Sequence, residues 1–161
     1  MVVLSAGILL YRFTDAAEPE VWIAHMGGPF WARKDAAAWS IPKGEYGLGE
    51  DPFAAARREF EEEIGVPAPA AEYVELGEFR QPSGKVVTVF AAEADLAVDT
   101  VVSNTFKLEW PKGSGRLRSF PEVDDARWVG LEQARVQLVR GQVPVLDALV
   151  EVLRGRGRLA R

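Results

Sequence analysis

The sequence predicts a single α+β domain, and three observations carry that expectation. The chain has 161 residues, about the size of one domain, which leaves little for a second. Strand-like stretches rich in Val, Ile, Leu and aromatics flank one helix with clear start and stop signals, and helical patterns close the chain. Composition is that of a globular protein, 48% hydrophobic and 27% charged, so a core can form without crosslinks. The absence of cysteine removes disulfide scaffolds, thiolate zinc sites, iron–sulfur clusters and thiol nucleophiles together. The lone histidine, His25, excludes a multi-histidine metal site and would have to be the base of any Ser-His-Asp arrangement.

The elements follow in order. Residues 3–13 are apolar, residues 15–19 carry turn chemistry, and residues 21–26 are apolar again, which predicts a hairpin. The opening residues have the apolar character of a leader core but no basic segment before it and no small-residue cleavage site, so they read as a buried strand. Gly27, Gly28 and Pro29 break the chain before an aromatic and basic loop through Lys34, and a short strand spans residues 39–41. Gly44, Gly47 and Gly49 mark a permissive loop whose backbone can approach a ligand. Asp51 and Pro52 open a helix and Gly65 with Pro67 ends it, with Phe53, Ala56, Phe60 and Ile64 forming one apolar stripe. Residues 72–81 and 85–94 read as strands joined by a turn at Pro82, Ser83 and Gly84. A further strand falls within 101–110, residues 111–121 read as a loop, a short strand spans 126–129, and helices cover 131–139 and 143–153. Residues 154–161 hold four arginines and no acid and read as a frayed basic tail, leaving residues 2–153 as the domain.

Net charge is −5, which argues against a stable nucleic-acid partner, so an anionic substrate would need local cations or metal ions. No apolar run approaches the length of about 20 residues that spans a bilayer, so no membrane partner is expected and the location is expected to be cytoplasmic.

The acidic run in the central helix is the most informative feature. At about 100° per residue, with Phe60 at the centre of the buried stripe, Glu63, Glu59 and Glu62 fall at roughly −60°, −100° and −160°. They share one edge, with Arg57, Glu61 and Arg58 on the other flank and no cation expected on the acidic side. Acidic runs are usually solvated faces. This one borders the apolar stripe and follows a glycine-rich loop whose carbonyls could complete an oxygen cage suited to Mg²⁺ or Mn²⁺.

Gly44, five residues, Glu50, seven residues, Arg58, Glu59, bulky Phe60, any residue, Glu62, Glu63, any residue, Gly65 and apolar Val66 together resemble the Nudix box at every constrained position. The order of surrounding elements is similar to that family as well. The resemblance implies an α/β/α sandwich around a mixed β-sheet and hydrolysis of a nucleoside diphosphate linked to another group. It implies Glu59, Glu62 and Glu63 as ligands of Mg²⁺, with Mn²⁺ as a substitute, the Lys43 carbonyl as a further ligand, and Arg58 orienting the glutamates. It implies Glu50 as a support for the loop, and a general base that is a box glutamate or an acid from a distant loop. For the loop acid the choice falls between Glu109 and Glu122, with Glu109 preferred. Lys43, Lys85 and Arg80 are the expected phosphate contacts and Tyr46 an expected stacking partner. The partner is thus a phosphorylated small molecule. Trp39, Ser40, Ile41, Pro42, Lys43 and Gly44 resemble the entry to the box in Nudix enzymes that act on diadenosine polyphosphates or diphosphoinositol phosphates. Nucleoside triphosphates and nucleotide sugars remain open, as does a non-catalytic nucleotide-sensing module.

Overall fold

The computed structural model describes residues 2–160. Its centre is β1 (Leu4–Phe13), which pairs in parallel with β6 (Val86–Glu93) along most of its length. On its other edge β1 is shared by two antiparallel neighbours, β2 (Pro19–Met26) near its C-terminal end and β4 (Lys43–Glu45) near its start. The sheet continues outward through β5 (Val74–Arg80) on the β6 side, and through β3 (Trp39–Ser40) and β9 (Val123–Gly130) on the β2 side. A separate two-stranded sheet is formed by β7 (Thr105–Glu109) and β8 (Leu117–Pro121).

Both faces of the main sheet are covered, and the covering decides the sequence pattern. On one face Ala6, Ile8 and Leu10 of β1 pack with Trp22 and Phe90 against Phe60 and Ile64 of α1 (Pro52–Ile64). On the other, Leu9, Val21, Ile23 and Val89 pack against α2 (Leu131–Gln137) and α3 (Val143–Gly155) through Ala134, Leu146, Leu149 and Leu153. A strand buried on both faces reads as a continuous apolar run. That is why residues 4–11 mimic a leader core. The layered arrangement is the expected α/β/α sandwich around a mixed sheet.

Helix α1 obeys its local signals. Asp51 is extended at φ −68° and its carboxylate accepts from Ala54 N at 3.0 Å, while Pro52 occupies the first turn. Gly65 adopts the left-handed conformation at φ 93° and its N–H returns to the Glu61 carbonyl. A side chain there would also collide with the Val102 backbone. Phe53, placed on the buried stripe, is half-buried and packs its ring 5.1 Å from those of Tyr73 and Phe90.

Four segments differ from the sequence reading. The start of the glycine-rich loop is a strand, β4, because residues 43–45 find the free edge of β1. Residues 117–121 are a strand and not loop, because they pair with β7 in a hairpin; all of them but Phe120 are exposed, so no apolar alternation marks the strand. Helix α2 stops at Gln137, since Leu138 turns extended and bridges to Trp39. Buried Gln142, in the 3-10 turn that follows, accepts from Ile41 N at 2.8 Å and donates to Ser40 Oγ, pinning the segment that leads into β4. The basic tail, of which residue 161 lies outside the described residues, is not frayed at Arg158, which pairs with Glu93 at 2.6 Å and lies over the Phe13 ring. Among the described residues no helix is long and apolar enough to cross a membrane.

Removing the Asp51 cap leaves a first-turn amide unsatisfied, so Asp51→Ala is expected to lower unfolding free energy by about 1 kcal/mol. Urea denaturation followed by circular dichroism checks this, with an unshifted midpoint counting against the cap.

Candidate functional site

The site lies where the second half of α1 meets the turn into β4. Glycine is required there: a Cβ at Gly44 would overlap the Glu59 carboxylate, which rests directly on the backbone of the loop. One turn further along the helix, Glu63 reaches the same loop and its Oε1 accepts from Lys43 N at 3.0 Å. The helix and loop are therefore locked together by the carboxylates themselves.

A second lock comes from far along the chain. Asn104 N donates to the Glu62 carbonyl at 3.0 Å, Glu122 N donates to the Asn104 carbonyl at 2.9 Å, and Gly27 N donates to the Glu122 carbonyl at 2.9 Å. These backbone bonds bring Glu122 over the acidic edge of α1. The result is an open cleft of about 370 Å³, lined by Lys43, Gly44, Glu59, Glu62, Glu63, Lys85, Asn104 and Glu122, with Glu45 at its edge.

Arg58 sits at the rim and joins the loop to the helix. Its guanidinium donates to Glu59 Oε1 at 3.1 Å and Glu50 Oε2 at 3.0 Å, and it lies 3.8 Å from Glu62 Oε1. Glu50 in turn accepts from Gly47 N. The helical projection had put Arg58 on the opposite flank from the acids. It stands about 40° from Glu62 across the solvent side of the helix, close enough for a long side chain to reach over.

The electrostatics are those of acids crowded together. Burial pushes the Glu63 carboxyl up to about 8, with the Glu122 and Glu59 charges adding to it and the bond from Lys43 N opposing it. Glu59 is raised by burial and by Glu62 against the pull of Arg58, and Glu122 is raised by burial and by Glu62. Lys43 is lowered by burial and by Lys85, while Glu63 and its neighbours favour its charged form.

The donor set, all carboxylate and carbonyl oxygen with no sulfur and no ring nitrogen, suits a hard divalent cation. Among the described residues, however, no three acidic or histidine side chains already converge on one point as a metal would need. The reason is visible in the bonding: Glu63 is turned toward Lys43 N and Glu59 toward Arg58. The residues fit a cation by chemistry, with these carboxylates exchanging protein donors for it.

The other expected site residues are divided. Lys85 reaches the cleft just before β6. Arg80 is exposed on the edge strand β5, and Tyr46 packs against the core beneath α1; neither lines the cleft. Glu109 is not brought to the cleft either. It sits near the far end of β7 and its carboxylate accepts from Gly113 N in the hairpin turn. Of the two loop acids, the geometry delivers Glu122. Asn104 was missed, and no local pattern in the sequence marks it.

Comparison with known proteins now bears on this geometry. A family model described as the NUDIX domain matches residues 1–149. The chain belongs to the Nudix hydrolase family. No curated protein matches it closely enough to add a nearer relative. Among solved structures, the chain is similar to a C. elegans Ap4A hydrolase binary complex, at 23% identity and TM-score 0.65, over 95% of this chain and 98% of that one. It is also similar to the NUDIX domain of Shewanella oneidensis NrtR complexed with ADP ribose, at 17% identity and TM-score 0.63, covering 95% and 89%. A third is a Nudix hydrolase from M. smegmatis, RenU, at 23% identity and TM-score 0.58, covering 98% and 89%. At these identities the likeness is one of fold. In this Nudix chain the box runs from Gly44, which lies against the Glu59 carboxylate, to Gly65 at the end of α1.

The Glu63 shift gives the metal-free protein a defined pH dependence. The folded state holds this proton up to about pH 8, whereas the unfolded chain releases it near about 4.3. Between those values the folded state binds more protons, so its stability falls as pH rises; the contribution is whole below the lower value and lost above the upper. Glu63→Gln, which stays neutral, is expected to flatten this fall and to be the more stable protein at pH 8 in chelator. Urea midpoints of both proteins at pH 5 and pH 8 measure it, and parallel losses would exclude Glu63 as the source.

Proposed function

We propose that the protein is a Mg²⁺-dependent pyrophosphohydrolase, with Mn²⁺ as a substitute, that cleaves a phosphoanhydride in a nucleoside diphosphate linked to another moiety. Dinucleoside polyphosphates and nucleoside triphosphates are the favoured substrates. The observation that carries this reading is the convergence of Glu59, Glu62, Glu63 and Glu122 on a cleft that also presents Lys43 and Lys85. Acids alone would repel a polyphosphate; acids that gather dications beside two ammonium groups can receive one.

Glu59, Glu62 and Glu63 would hold the metal, with the Lys43 carbonyl as a further oxygen. When bound, the ion neutralises phosphate charge and lowers the pKa of water. The protein supplies the rest. Arg58 holds Glu59 at the rim and is itself held by Glu50, so the carboxylate is kept beside the cleft until a cation takes over from the guanidinium. Lys43 and Lys85 meet phosphate oxygens left outside the metal shell. Glu122 takes the proton from the attacking water at its carboxylate oxygen. Burial and Glu62 raise its affinity for a proton, which moves it toward the range where a base is useful near neutral pH. The backbone bond to Asn104 fixes where that carboxylate starts.

The test is turnover across a panel of dinucleoside polyphosphates, nucleoside triphosphates, nucleotide sugars and diphosphoinositol phosphates with Mg²⁺ in oxygen-18 water. The label reports which phosphorus is attacked. Glu62→Gln and Glu63→Gln should each lower kcat by about a thousandfold, the loss of several kcal/mol of charge stabilisation. Glu122→Gln should lower it by about a hundredfold or more, whereas Glu109→Gln should leave it near wild type. Mg²⁺ should raise the Tm of the wild type and raise that of Glu63→Gln less. Tight nucleotide binding with no turnover on any compound would favour a nucleotide-sensing module instead.

A further inference from the structure

The hairpin β7–β8 has no place in the reaction as derived, yet both of its ends are rooted in the catalytic cleft. Asn104, just before β7, and Glu122, just after β8, line that cleft and are joined by a backbone hydrogen bond. From this root five residue pairs extend outward, about 17 Å of strand at the usual rise. The hairpin adds no strand to the main sheet. It is therefore an arm and not part of the core.

The register sorts its side chains. Opposed residues of an antiparallel pair share a face and neighbours along a strand alternate. Phe106 opposite Phe120 and Leu108 opposite Arg118 therefore lie on one face. Trp110 continues that face, and its N–H donates to the Arg116 carbonyl across the hairpin. Phe106 and Phe120 have ring centroids 6.0 Å apart, and the Arg118 guanidinium lies 5.5 Å from the Phe120 ring. At the root Phe106 occupies the space that a side chain at Gly28 would fill. The loop after Gly28 adds one more pair of the same kind, Lys34 Nζ 3.5 Å above the exposed Phe30 ring.

Charge separates the arm from the rest of the molecule. Residues 105–121 carry Lys107, Lys112, Arg116 and Arg118 against Glu109 alone, in a chain whose net charge is −5. Among the described residues none of those four cations enters an ion pair. All four are exposed, and Trp110 is 37% exposed. The net charge that argued against a nucleic-acid partner is a whole-chain sum, and it hides this segregation. Aromatic rings interleaved with unpaired cations along a narrow surface suit one ligand chemistry well: alternating bases and phosphates.

We propose that the β7–β8 arm binds single-stranded nucleic acid, its bases against the Phe106, Trp110 and Phe120 face and its phosphates against Arg116 and Arg118. Because the arm is rooted in the carboxylate cleft, a bound strand that ends in a phosphoanhydride would present that end to Glu59, Glu62, Glu63 and Glu122. This second part rests on the hydrolase reading; the binding surface does not.

The test is fluorescence anisotropy of a 3′-labelled oligoadenylate decamer, titrated with the full-length protein in chelator at several salt concentrations. Wild type should bind at 0.1 M salt. Arg116→Glu with Arg118→Glu should weaken binding at least tenfold and reduce the slope of log K against log salt by about 1.4, about 0.7 per lost phosphate contact. Trp110→Ala should weaken binding by about tenfold, and Arg118→Lys should retain it. Unchanged urea midpoints would establish that the exposed substitutions leave the fold intact. Equal affinities for wild type and the doubly reversed variant, or no binding by wild type, would overturn the proposal. So would a wild-type dimer in sedimentation that the double variant splits, since a second copy would then occupy the arm. Decamer binding without turnover of any compound with Mg²⁺ would leave the arm standing and remove the hydrolase reading. Turnover without decamer binding would do the reverse.

Discussion

Four carboxylates held against mutual repulsion are the constraint around which this molecule is arranged. Glu59, Glu62, Glu63 and Glu122 share one cleft, and burial makes the ionised forms of Glu59, Glu63 and Glu122 costlier still. The fold keeps them there: three lie on α1, Glu59 rests against Gly44, Glu63 accepts from the amide of Lys43, and the amide of Glu122 is bonded to the Asn104 carbonyl. Arg58 is the one cation in direct contact with the cluster among the described residues, and it touches only Glu59 and Glu62. Such a site favours whatever brings positive charge into it, which is the property a phosphoanhydride hydrolase needs.

The sheet supplies the rigidity that lets the cluster persist. With both faces of β1 covered, the strand cannot shift without unpacking two layers at once. Strand β4 is registered directly on β1, so the loop that Glu59 and Glu63 touch inherits that fixity. Gln142, buried and bonded to Ile41 and Ser40, extends it from the opposite face. The site thus takes its order from the core, although its acids lie at the margin.

The arm follows different physics. It buries little, pairs only with itself and carries cations that no neighbour neutralises. A segment of that kind adds little to the stability of the fold, whereas it extends the cleft with a surface of opposite charge. Segregation of acids into the cleft and bases onto the arm orders the two ends of any polyanion that meets both.

The sequence by itself determined α1 and its acidic triplet. Capping by Asp51 and Gly65 and the spacing of Phe60 and Ile64 are local, and a helix converts spacing directly into direction. The box spacing from Gly44 to Val66 likewise disclosed the family, since it records a loop and a helix adjacent in the chain. What it could not disclose was which distant acid joins them. Glu109 and Glu122 are the same residue type in the same hairpin segment, so only the bonds from Gly27, Asn104 and Glu62 separate a residue at the root from one near the tip. The same holds for Tyr46, just after β4, and Arg80, on β5, whose types suit a substrate but whose places in the fold carry them elsewhere. Local periodicity is written in the chain; the meeting of remote backbone amides and carbonyls exists only once the chain has folded.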